Sequence, residues 1–61
     1  MMKLRWHERQ QNMFAQGLLN HQVASETDGF YAKSGMDVHG PYETAQEARR
    51  ACEACELQEN N

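Results

Sequence analysis

At 61 residues and a formal net charge of −3, the chain has room for one domain, and it lacks any run of the roughly 18 apolar residues that a helical membrane span needs. A domain this short buries only about 60% of the surface its unfolded form exposes, so a disulfide, a metal or a second copy is the usual support. Large apolar side chains are few, which makes a homodimer the expected state, and the single C-x-x-C pair, Cys52 and Cys55, is no secreted disulfide framework.

The charge is unevenly spread. Residues 1–19 carry a net +2, residues 20–42 a net −2 and residues 43–61 a net −3. Ends of opposite sign can steer self-association or a partner. The opening MMKLRWHERQQ has no apolar signal-peptide core, so a cytoplasmic protein is expected, with no membrane partner.

In chain order, Leu4 and Trp6 alternate like a strand over 2–7, whereas Met13, Phe14, Leu18 and Leu19 allow either a helical turn or more strand over 12–19. A β-meander is expected over 20–39. Asp28-Gly29 suits a tight hairpin turn with positive φ, and Ser34-Gly35 a second turn. Alternation puts Phe30 and Ala32 on the inner face with Tyr31 and Lys33 outside. In the next strand it puts Met36 and Val38 inside, with Asp37 and His39 outside.

Gly40-Pro41 is expected to end the sheet, because proline fixes φ and has no N–H for a ladder. Thr44 and Glu47 form a capping box that opens a helix over 44–58, followed by a frayed tail at 59–61. On that helix Ala45, Ala48, Ala51, Cys52 and Cys55 form one small-residue stripe. Small side chains let a helix lie close on a sheet, so Phe30 and Tyr42 should supply aromatic bulk from the strands. The expected fold is α+β: a single domain, an antiparallel sheet of three or four strands with one C-terminal helix packed on a face.

The segment TDGFYAKSGMDVHGPYETAQEA, with HGPYETAQEA at its end, resembles a strand-turn-strand-Gly-Pro-aromatic-x-Thr-x-x-Glu-Ala-helix segment of small uncharacterised bacterial and phage-borne proteins. The resemblance spans residues 27–50. It carries no catalytic residues; the very short length also resembles that of phage accessory genes, including inhibitors of host enzymes and defence systems, so a phage or prophage modulator or inhibitor of a host system is the expectation.

Three kinds of chemistry compete. Cys52 and Cys55 share a helix face and could give two ligands to zinc, with His39, His21 or His7 as further ligands; four are needed, and packing residues are the plainer account. His39 with Asp37 could make a general base, yet no nucleophile is placed beside them, so no enzyme activity and no cofactor are expected. Lys3, Arg5, Trp6 and Arg9 join basic groups to an aromatic, as single-stranded nucleic-acid binders do. The leading expectation is non-catalytic protein binding, through Tyr31, Lys33, Asp37 and His39 on the open sheet face and Glu53, Glu56 and Leu57 on the helix.

Overall fold

The computed structural model describes residues 4–59. They form an antiparallel sheet of five strands in sequential order, β1 (His7–Arg9), β2 (Asn12–Gln16), β3 (Asn20–Glu26), β4 (Gly29–Ser34) and β5 (Asp37–Tyr42), followed by α1 (Ala45–Glu59). The α+β architecture and the C-terminal helix are as expected; the sheet has five strands, not three or four.

The extra strands come from the N-terminal third. Residues 12–16 are strand, so the helical alternative for 12–19 is corrected, and the described part of the expected 2–7 strand turns regular only at His7. The β1–β2 hairpin closes through Gln10 and Gln11, both with positive φ (51° and 70°), in the register Arg9↔Asn12. Two-residue hairpin turns call for that conformation, which glycine and asparagine adopt readily and glutamine does not. The turn therefore carries no composition signal.

The two later hairpins are each offset by one residue from expectation. Glu26 pairs with Gly29, so Thr27 and Asp28 form the first connection. Ser34 pairs with Asp37, so Gly35 and Met36 form the second. This second offset turns β5 over: Asp37 and His39 stand beside Ser34 and Ala32 on the helix-covered face, and Val38 stands beside Lys33 on the open one. The expected inward Met36 and Val38 are corrected accordingly, since Met36 sits fully exposed in the turn. Because side chains alternate with period two, a one-residue shift at a turn reverses every facing after it.

Gly40-Pro41 does not end the sheet. Strand β5 runs through it to Tyr42, with a cis Gly40-Pro41 bond and an irregularity where Phe30 pairs with Tyr42 and Ala32 with His39. Proline is tolerated there because β5 is an edge strand, whose outer N–H groups have no ladder to join. Gly40 has φ 138°, and a Cβ on it would lie 2.9 Å from Tyr31 Cδ1, so the tyrosine ring lies close over the glycine.

The helix begins as its capping residues require. Thr44 Oγ1 accepts from Glu47 N–H at 3.1 Å, and Thr44 Oγ1–H donates to the Glu47 carboxylate at 3.2 Å. Helix α1 packs on β3, β4 and β5. Val23, Ala32, Ala48 and Cys52 form the core, with Leu4, Trp6, Met13, Phe30, Tyr42, Ala45 and Ala51 against it. The small-residue stripe is present as Ala45, Ala48, Ala51 and Cys52, with Cys55 only half-buried at its margin, and so is the aromatic contribution of Phe30 and Tyr42. The close approach brings Cys52 Sγ to within 3.8 Å of Lys33 O and 4.0 Å of Gln22 O.

Candidate functional site

Two features stand out at the end of the sheet where the β2–β3 loop meets the C-terminal half of α1: a buried polar network, and exposed apolar side chains on the loop and turn beside it.

The network joins three elements. His21 on β3 pairs with Ser34 on β4, and both face the helix, where Glu56 follows Ala48 and Cys52 at intervals of four. His21 Nδ1 lies 2.8 Å from Ser34 Oγ, and His21 Nε2 lies 2.8 Å from Glu56 Oε1. An ionised carboxylate only accepts, so Nε2 carries the hydrogen given to Glu56; in the neutral ring Nδ1 then accepts from the Ser34 hydroxyl. Glu56 also accepts from Leu18 N–H at 2.5 Å and Leu19 N–H at 3.2 Å, tying the β2–β3 loop to the helix. The bond from His21, then that from Leu18 N–H, hold its carboxyl below the usual glutamate range, against an opposing push from burial.

All three side chains are buried: Ser34 and His21 are 2% exposed and Glu56 is fully enclosed. Serine, histidine and carboxylate in series form the sequence of a nucleophile relay. Here the serine hydroxyl has no path to a substrate, so the arrangement acts as a clamp between sheet, loop and helix. Next to it, burial pushes the Cys52 thiol pKa up and keeps the thiol protonated.

This network lies outside the site expected from sequence. Glu56 is corrected from a partner-contacting carboxylate to a buried anchor, because it extends the i, i+4 line of Ala48 and Cys52 inward. That spacing is the available signal, and the charge of the residue argues against reading it so. His21 stands in the sequence only as a further candidate zinc ligand.

The other expected contact residues are scattered. Tyr31 and Lys33 do occupy the open face. Tyr31 O–H donates to Asp28 at 2.5 Å, which raises its pKa. Asp37 and His39 stand at the helix-covered edge instead. His39 lines a shallow cleft with Tyr42, Ala54 and Cys55, apart from Lys33. Glu53 faces the opposite flank of the helix beside Trp6, and Leu57, four residues on, is exposed.

For the zinc alternative, Cys52 points into the sheet while Cys55 faces the His39 cleft. Among the described residues no three histidine, cysteine or acidic side chains gather as a metal-binding group. For the nucleic-acid alternative, Lys3 lies outside the described residues, and Trp6 packs against the core, so its ring is not free to stack on a base. Arg5 and Arg9 are exposed.

The loop end is assembled by the clamp. Loop residue Leu19 lies against the β4–β5 turn, its Cδ2 3.4 Å from where a Gly35 Cβ would stand, and Gly35 N–H donates to Asn20 O at 2.9 Å. Glu56 holds the same loop to the helix. Leu18 and Met36 therefore stand exposed on the loop and turn at this end, while Val38 is exposed on the open face and Leu57 on the helix. On the open face Val38 continues into a row that crosses all five strands, His7–Phe14–Gln22–Lys33–Val38. No helix among the described residues is long and apolar enough to cross a membrane. Comparison of the chain with protein-family models, with curated proteins and with solved structures gives no match.

Proposed function

We propose that the protein is a non-catalytic, cytoplasmic accessory protein that acts by binding another protein, and that it docks through Leu18 and Met36 at the loop end together with Val38 on the adjoining open face, with Lys33 alongside. One observation carries this reading. Of the five large apolar side chains left exposed among the described residues, Leu18 and Met36 stand on the loop and turn that meet at one end of the sheet, and Val38 and Phe14 share the row across the adjoining open face. Apolar side chains gathered in one place mark interaction surfaces, whereas singly scattered ones need no explanation. The buried clamp supports the same reading, since it fixes the loop that presents Leu18.

The partner this surface fits has an apolar ridge for these side chains and a carboxylate for Lys33. A second copy of the chain is the first partner to test, because a core of one valine, four alanines and a cysteine among its buried residues leaves much of the stability to association. The resemblance of residues 27–50 to segments of small bacterial and phage-borne proteins accords with an accessory, partner-binding role. Mass measurement under non-denaturing conditions and capture of partners, each with the wild type and a Met36→Glu/Val38→Glu variant, test the proposal. Both substitutions fall on exposed positions, so the fold should survive and association should be lost. Association unchanged in that variant rejects the surface.

A second reading rests on the open face itself. The row holding His7, Phe14 and Lys33, with Arg9 and a fixed Tyr31 beside it, sets basic groups among aromatic rings, with Glu26 and Asp28 at the Tyr31 end, while Glu47, Glu53 and Glu59 belong to the helix. Single-stranded nucleic acid is the ligand such a face suits. Affinity for oligonucleotides that falls steeply between about 50 and 200 mM salt and is lost in Phe14→Ala favours it; salt-insensitive or absent binding removes it.

A further inference from the structure

Strand β5 is an edge of the sheet, and the helix leaves a gap beside it. His39 and Tyr42 on β5 and Ala51, Ala54, Cys55 and Gln58 on α1 line a cleft of about 330 Å³. Two alanines stand where longer side chains would close it, so the cleft has room for side chains from outside. The strand that borders it has unmet backbone groups. Ser34 and Asp37 close a two-residue turn and so exchange ladder bonds; by alternation the next residue, Val38, turns its N–H and C=O away from β4. No strand among the described residues lies on that side.

The charge around the cleft has one sign. Glu47 lies on the helical line of Ala51, Ala54 and Gln58, Asp37 shares the helix-covered side of β5 with His39, and Glu43 follows Tyr42. The two helix cations, Arg49 and Arg50, line the cleft on the opposite flank, and Lys33 pairs with Val38 on the open face.

We propose that β5 takes an extended segment of a partner protein as a sixth strand, one that turns an apolar side chain between two lysines or arginines toward α1. Strand addition to an exposed edge draws affinity from main-chain hydrogen bonds and specificity from the pockets that alternate side chains enter. The apolar side chain enters the cleft opposite His39. The flanking cations reach Asp37 at one end and Glu43 and Glu47 at the other. Pro41 has no N–H to give, so backbone pairing is short and the charges supply the rest. A second copy of β5 would set these carboxylates against their like, which disfavours self-pairing at this edge. The site uses neither Leu18 nor Met36 and does not rest on docking through the loop end.

The wild-type protein is titrated with three peptides, each acetylated and amidated. One is lysine-threonine-valine-threonine-lysine, one has glutamate for both lysines, and one is the lysine peptide N-methylated at both threonines. Cys52 is enclosed and Cys55 half-buried, so alkylation of the native protein by iodoacetamide reports on the cleft. The Val38 and Ala54 amide resonances report on its two walls. The lysine peptide should bind saturably, slow alkylation at least tenfold and shift both resonances. The glutamate and N-methylated peptides should bind at least tenfold more weakly. Ala54→Lys, at an exposed helical position, should weaken the lysine peptide at least tenfold. Leu18→Glu should leave its affinity unchanged, so failure of this edge and failure of the loop end are told apart. Binding that does not saturate, equal binding of either control peptide, or resonance shifts away from β5 and α1 overturn the proposal. Self-association lost in Ala54→Lys also overturns it, by marking the cleft as an interface between copies.

Discussion

His21 and Glu56 lie 35 residues apart in the chain and meet at 2.8 Å in its interior, where the carboxylate also accepts two backbone N–H groups of the β2–β3 loop. In a domain whose other buried side chains are mostly alanines, this contact joins helix, sheet and loop at once. Removing one partner leaves the other enclosed and unmet, whereas replacing both with apolar groups of similar size restores packing. His21→Leu is expected to cost about 3 kcal/mol in urea unfolding. The double variant His21→Leu/Glu56→Leu should recover a large part of that loss. A double variant as unstable as the sum of the two single variants would contradict the clamp.

Acid should loosen the same contact in a defined direction. The Glu56 carboxyl is held below its ordinary value in the folded state, mainly by His21. A depressed carboxylate pKa contributes stability that is present above the unfolded value, about 4.3, and is lost as pH falls through the lower folded one. Thermal midpoints should therefore decline from about pH 4 downward. Glu56→Gln should be less stable at neutral pH and should show a shallower acid decline than the wild type.

Gly17 makes room for the clamp. A Cβ there would stand closer than 3.0 Å to the Glu56 carboxylate, whose position is fixed from three sides. Gly17→Ala is expected to destabilise by about 1–3 kcal/mol through overpacking. In a Glu56→Ala background the same substitution should cost much less, which a double-mutant cycle measures.

The Gln10–Gln11 turn offers a gain instead. Each residue in the left-handed region costs about 1–2 kcal/mol more than glycine would. The double variant Gln10→Asn/Gln11→Gly should raise stability by about 1 kcal/mol, after allowance for the extra freedom glycine adds to the unfolded chain. Denaturant midpoints of the two proteins measure the difference, and no gain would mean that the hairpin is not closed this way.

The helix was legible in the sequence to within a residue, because its start is written locally: Thr44 and Glu47 meet across three positions, and the alanine and cysteine stripe recurs at helical spacing. The hairpin corners at Asp28-Gly29 and Ser34-Gly35 were legible too, though only to within one residue. That single residue set which way β5 faces and moved Asp37 and His39 off the open side. The first hairpin was hidden because glutamines stand where glycine or asparagine usually do.

Local spacing thus determined the class of fold, the capped helix and the small-residue seam by which it lies on the sheet, since these depend on neighbours within a few positions. The register of β5, the packing of Trp6 and the meeting of His21, Ser34 and Glu56 were decided only by tertiary structure. A pair 35 residues apart shares no periodicity. A carboxylate becomes an interior residue only once a histidine and two loop amides from elsewhere in the chain supply what water would otherwise give.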